Sequence, residues 1–198
     1  MPSRRSQAER SAGTTSELLT HATAAFGAVG YDRVSVDAVA EAAGLTKGAV
    51  YHHFGGKQGL FLAVYTDAHE RIAARTATAV AAAAPTAWQR LEAGVAQFLT
   101  AVAEPHRQRI VVVDGPRVLD RATIRNIEDR HAAGLLRDAF RRLREAGDLA
   151  AGDDTMRTRL VIGALCEAAT TIAESPAPEQ ALTAARTDIN RLLTGLRA

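Results

Sequence analysis

Ser35-Val36-Asp37-Ala38-Val39-Ala40-Glu41-Ala42-Ala43-Gly44-Leu45-Thr46-Lys47-Gly48-Ala49-Val50-Tyr51-His52-His53-Phe54 reads as two short helices joined at Gly44. Ser35 and Thr46 are placed to cap them, because a side-chain oxygen there satisfies a backbone N–H that the helix leaves free. Val36, Val39, Ala40 and Ala43 form one buried stripe, small enough for a second helix to cross closely. Gly44 supplies the positive φ of a tight turn. Leu45 plugs that turn, while Val50 and Phe54, spaced i, i+4, anchor the second helix. This is the helix-turn-helix pattern.

The anchors leave an unusual outer surface. Lys47 and Tyr51 share one stripe, Gly48 and His52 another, with the small Ala49 beside them. No acid occurs between Ala42 and Lys57. Lys47 and Lys57 are the only lysines, all the other members of the 24 Lys and Arg residues being arginine. Such a face, with the free N–H groups and partial positive charge of a helix N-terminus, suits phosphates and base edges. An ordinary helical hairpin with a basic polar face fits the bare spacing equally well.

Outward from this unit, the 198 residues are 47% hydrophobic but only 5% aromatic. A core built from many alanines favours closely packed helices over sheets, so the expected class is all-α with about nine helices. The polar start to Gly13, with Arg4, Arg5 and Arg10, reads as a flexible basic arm (1–13). A helix then opens at Thr14, in capping-box spacing with Glu17, and carries Leu18, Ala22, Ala25, Phe26 and Val29 to the cap at Gly30. The helix-turn-helix domain spans 14–56, and a connecting helix spans 57–84 with Leu60, Phe61, Val64, Tyr65, Ala68 and Ile72 inward. Pro85 opens a second helical domain, 85–198, in which Thr86 and Gln89 form another capping box. Ile110 to Val113 is taken as a short buried helix before an Asp114-Gly115-Pro116 turn, since a lone strand would lack a partner. Asp120 caps a long helix to Ala146, and two final helices follow.

A formal charge of +2 points only weakly to nucleic acid. One cysteine, Cys166, excludes an intramolecular disulfide and suits a reducing cytoplasm. No apolar run follows the first arginines, and none reaches the roughly 20 residues of a membrane span.

Phe26, Gly30-Tyr31-Asp32, Ser35-Val36, Val39-Ala40, Ala43-Gly44 and Thr46 through Phe54, continued by Lys57 and Leu60, resemble the TetR family of repressors. Gly55-Gly56 departs from the Pro/Ser-type pair more common there. The resemblance, over about residues 14–65, implies a cytoplasmic homodimer with one DNA-binding head per subunit and an all-α ligand domain. It implies Thr46, Lys47, Gly48, Ala49, Tyr51, His52 and Lys57 at duplex DNA and Ser35 near a phosphate. It also implies an unidentified small-molecule effector that releases a palindromic operator.

Arg109 through Pro116 is similar to a segment in one subset of these ligand domains. Pocket candidates are the large or polar groups set among apolar neighbours: Trp88, Phe98, His106, Asp114, Arg117, His131, Glu167 and Thr171. Asp114 fits a turn cap as well as a ligand contact, and His131 fits a core. For the dimer interface the apolar stripes of the last two helices are the candidates: Leu160, Ala164, Leu165, Ala168, Ile172, Leu182, Ile189, Leu192, Leu193 and Leu196. They could instead pack on each other. An enzyme is not expected, because the histidines lack metal-ligand spacing and no phosphate-binding glycine loop or nucleophile–base pair occurs. No cofactor is expected. A DNA-binding protein without an effector, or one answering a protein partner, is the alternative.

Overall fold

The computed structural model describes residues 7–83 and 86–198. Four helices open the chain: α1 (Gln7–Val29), α2 (Val36–Ala42), α3 (Lys47–Phe54) and α4 (Lys57–Ala82). Then come α5 (Ala87–Val102) and α6 (Pro105–Gln108), a π-helical segment over Arg109–Asp114, and α7 (Gly115–Val118). The fold closes with α8 (Arg121–Arg130), α9 (Ala132–Glu145), α10 (Asp154–Glu174) and α11 (Pro178–Thr194). It is all-α, and nine of these helices have seven or more residues. Among the described residues the one extended pairing is an isolated bridge between Leu149 and Arg197, which ties the C-terminus to the α9–α10 turn.

Local chemistry accounts for most boundaries. Thr86 and Gln89 make both bonds of the capping box that starts α5. Asp153 Oδ1 accepts the N–H groups of Thr155 and Met156, setting the start of α10. Gly30, at φ +83°, closes α1.

Three boundaries differ from the sequence expectation. Helix α1 begins at Gln7 rather than Thr14, because Gln, Ala, Glu and Arg before Gly13 are all good helix formers and outweigh one glycine. Residues 1–6 of the expected arm, and Pro85, lie outside the described residues. The expected helix from Asp120 to Ala146 is broken at His131 (φ −108°, ψ −78°). There the Arg137 guanidinium donates to the Asp129 carbonyl at 3.0 Å, supporting the bend from outside the ladder. Residues 110–113 are helical as expected, but Asp114-Gly115-Pro116 is not a turn. Pro116 has no N–H, and the N–H of Gly115 reaches back five residues to the Ile110 carbonyl, so the chain stays helical with a wider turn.

Two larger cores result. The lower one joins Leu18, Phe26, Val39 and Val50 of the head to Leu60, Phe61 and Tyr65 of α4, and to Ile110, Leu119 and Ile127 of the body. The upper one packs Trp88, Leu91, Val95 and Leu99 against Phe140, Leu143, Leu165 and Ile172, with Ile189 and Leu193. Helix α4 is thus shared: its first half completes the head.

Candidate nucleic-acid interface and inner cavities

Helix α3 stands on the head by Val50, which is fully buried, and by the half-buried Phe54. Thr46 Oγ1 accepts the Ala49 N–H at 3.3 Å, and Ser35 Oγ accepts the Ala38 N–H at 3.5 Å. Both predicted caps therefore form. The rest of α3 faces out. Tyr51 is 52% exposed, and His52, Lys47 and Gly48 are exposed beside it, with Ala49 half-buried. A Cβ built on Gly48 would have only Thr46 Oγ1 near it, at 3.6 Å, so among the described residues nothing else crowds that spot.

Two of the basic groups already have partners. Lys47 Nζ lies 3.1 Å from Asp37 Oδ2, and that hydrogen bond and charge raise the amine above its ordinary pKa. The pair is exposed, so solvent and salt weaken it. Lys57 Nζ donates to the Asp32 carbonyl at 3.1 Å and sits 4.6 Å over the Tyr31 ring, which packs on Phe26 and Phe61. Glycine is required just after α3. Gly55 and Gly56 have φ of +73° and +121°. At Gly59 an added Cβ would fall 1.8 Å from the Phe54 carbonyl oxygen, so α4 crosses α3 closely there.

Besides an open surface cleft of about 580 Å³ beside Arg90, Arg141 and Glu145, the body holds two more enclosed cavities. The larger, about 450 Å³, is walled by Val80, Leu91, Val95, Phe98 and Leu136, with Arg90, Asp138 and Arg142 as its charged members. The smaller, about 110 Å³, lies between α4, α8, α10 and the π-helical segment. Phe98, Ala132 and Leu165 line both.

Of the predicted pocket residues Phe98 alone lines these two cavities. Trp88 is in the upper core, its Nε1 donating to Glu92 Oε1 at 2.9 Å and its ring covered by Arg197. His106 is exposed and packs on Gly27 of α1. Asp114 and Arg117 belong to the junction of head and body: Asp114 Oδ2 accepts the Tyr31 N–H at 2.9 Å, and Arg117 Nη2 donates to Asp32 Oδ2 at 3.3 Å. His131 sits at the α8–α9 break, beside the lining residue Ala132. Glu167 and Thr171 are exposed on the outer side of α10. Size and polarity alone did not distinguish a lining residue from a core or surface one. Tyr65, His69, Glu128 and Cys166, which do line the smaller cavity, were not among the pocket candidates. The one available signal was a histidine, His69, inside the apolar face of α4.

The predicted interface stripes also divide. Leu165, Ile172, Ile189 and Leu193 are buried within this chain, because α10 and α11 turn those faces onto α5 and α9. Ala164, Ala168, Leu182 and Leu196 are half-buried against the same core. Leu160 and Leu192 remain 65% exposed, and Met156, not anticipated, is 56% exposed.

Comparison with known proteins agrees with this geometry. The family described as "Bacterial regulatory proteins, tetR family" matches residues 18–64, and "Tetracyclin repressor-like, C-terminal domain" matches residues 88–196. The HTH-type transcriptional repressor Rv1474c of Mycobacterium tuberculosis is 38% identical over 58 residues, 29% of this chain and 31% of that protein. The chain thus matches under a third of that curated repressor's length. A TetR-family transcriptional regulator from Pectobacterium atrosepticum is 30% identical and covers 98% of both chains with a TM-score of 0.79. FadR from Bacillus subtilis, solved with stearoyl-CoA, shares the fold at 19% identity and a TM-score of 0.71, over 90% of this chain and 97% of that one. The chain belongs to the TetR family of DNA-binding transcriptional regulators.

Proposed function

We propose that the chain is a dimeric repressor that holds a palindromic operator through α3 and releases it when a small molecule fills the body cavities. The observation that carries this reading is the continuity of α4. Leu60, Phe61 and Val64 at its start pack in the head core, while Thr76, Ala77 and Val80 near its end line the larger cavity. A ligand that shifts the second half of a single helix shifts the base of the head. A two-fold dimer presents two α3 helices to half-sites about one DNA turn apart, so a small rotation breaks simultaneous contact. Exposed Met156, Leu160 and Leu192 on α10 and α11 are the apolar groups available to join two copies. In the dimer a two-fold axis places the same patch on both partners.

The test is a gel shift on duplexes selected from random sequence by the full-length protein. Lys47→Ala and Tyr51→Ala should each weaken binding about tenfold or more, the cost of roughly 1.4 kcal/mol or more of contact. Affinity should fall steeply with salt, as neutralised phosphates release counterions. Unchanged affinity in both variants, or a flat salt titration, refutes the reading.

A further inference from the structure

The smaller chamber combines features that the core does not need. His69 is 5% exposed, and its Nε2 has no hydrogen-bond partner. Glu128 forms no ion pair among the described residues, and the one hydrogen bond on its carboxylate comes from the Cys166 thiol at 3.6 Å. Tyr65 packs its ring against His69 with centroids 4.7 Å apart. No lysine or arginine lines the chamber. Desolvation raises the Glu128 carboxyl, and the thiol of Cys166, an exposed residue of α10, is raised by desolvation and by the Glu128 charge beside it. The chamber therefore offers hydrogen-bond acceptors, aromatic side chains and a carboxylate whose opposing charge, Arg125, lies outside the lining.

We propose that this chamber binds a small organic cation, an ammonium group on an apolar body, with Glu128 as its counter-ion. An ammonium brings three donors and no acceptor, which matches the Glu128 oxygens and the Tyr65 hydroxyl. The faces of Tyr65 and Phe98 attract a cation through their ring quadrupoles. Val102, Ile124 and Ile162 cover the apolar body. An anion would meet Glu128 at close range, and a neutral body would bring no charge to that carboxylate. The inference deepens the regulator reading and rests on it for its consequence. Val111 and Val112 of the π-helical segment wall the chamber, and the same segment ends in Asp114, the acceptor of the Tyr31 N–H.

Calorimetry on the full-length protein tests it with benzylamine, which is protonated at neutral pH, beside the near-isosteric benzyl alcohol and the anion benzoate. Benzylamine should bind at least tenfold tighter than either, and Glu128→Gln should erase that preference. In the native chain, saturating benzylamine should also raise the melting temperature by more than benzyl alcohol at the same concentration, a readout that holds even if the variant fails to fold. Equal affinities for amine and alcohol, full affinity in Glu128→Gln, or equal stabilisation of the native chain by amine and alcohol overturns the proposal. A gel shift separates the two readings. Amine binding with unchanged DNA affinity supports the cation site and removes its link to release, whereas a protein that binds no duplex overturns the regulator reading alone.

Discussion

Asp114 Oδ2 accepts the backbone N–H of Tyr31 at 2.9 Å, a bond across 83 residues that fastens the head to the body. Tyr31 follows Gly30, whose left-handed φ of +83° turns the chain toward Asp114. Asp114 is buried, with Arg117 at 3.9 Å, and Arg117 in turn reaches Asp32. The angle between α3 and the cavities thus depends on a carboxylate at the end of the π-helical segment.

Asp114→Ala removes a buried, charged acceptor and leaves the Tyr31 N–H without its partner. The expected loss is about 2 kcal/mol, in the range for hydrogen bonds to charged groups, measured by urea unfolding. A change below about 0.5 kcal/mol would show that solvent replaces the bond.

Gly48→Ala should separate stability from function. The site is open, with its nearest neighbour 3.6 Å away, and alanine is favoured over glycine in a helix by about 1 kcal/mol. The variant is expected to melt higher and bind DNA more weakly, because the new methyl stands on the face proposed to meet DNA. Thermal melting and a gel shift on one preparation check both halves; full DNA affinity would place Gly48 away from the duplex.

His69 gives stability a dependence on pH. Burial, with the His131 charge second, lowers it from 6.5 to about 4. As pH falls through 6.5 the unfolded chain takes up a proton that the folded chain refuses until about 4. The contribution of neutral His69 is therefore complete above pH 6.5 and lost on acidification toward pH 4, by roughly 3 kcal/mol at 1.36 kcal/mol per pKa unit. Glu128, raised by burial, acts oppositely, losing stabilisation as pH rises above its unfolded value. Tyr65 and Cys166, also raised, titrate well above this window. Subtracting denaturation curves of His69→Leu from those of the native chain at each pH isolates the histidine; parallel curves between pH 6.5 and 4 would refute the assignment.

Leu160→Glu and Leu192→Glu should dissociate the proposed dimer without unfolding the subunit, since both side chains are 65% exposed. Leu165→Glu, in contrast, buries a charge in the upper core and should unfold it. Sedimentation and circular dichroism on the three variants check this; a dimer that survives both exposed substitutions places the interface elsewhere.

The head was legible because its determinants are local. Ser35 and Thr46 bond backbone groups three residues on, Gly44 and Gly55 set turns through their own φ, and Val50 must face inward once α3 is a helix. Even there, the Lys47–Asp37 pair and the seat of Lys57 on Tyr31 needed the crossing of helices. Expectations failed in the body where a residue's surroundings come from distant chain. Asp114 reads as a turn residue until Tyr31 is brought to it.

By itself the sequence determined the helical class, the caps of α2, α3 and α5, the helix-turn-helix and the exposed chemistry of α3, all consequences of hydrogen bonds and periodicity within a few residues. Tertiary structure alone decided which apolar stripe became core. Leu165 and Leu160 share α10, yet one packs against α5 while the other faces solvent. It alone also placed His69 and Glu128 around one chamber, 59 residues apart in sequence. Burial and charge environment are properties of the packed whole, and no local pattern encodes them.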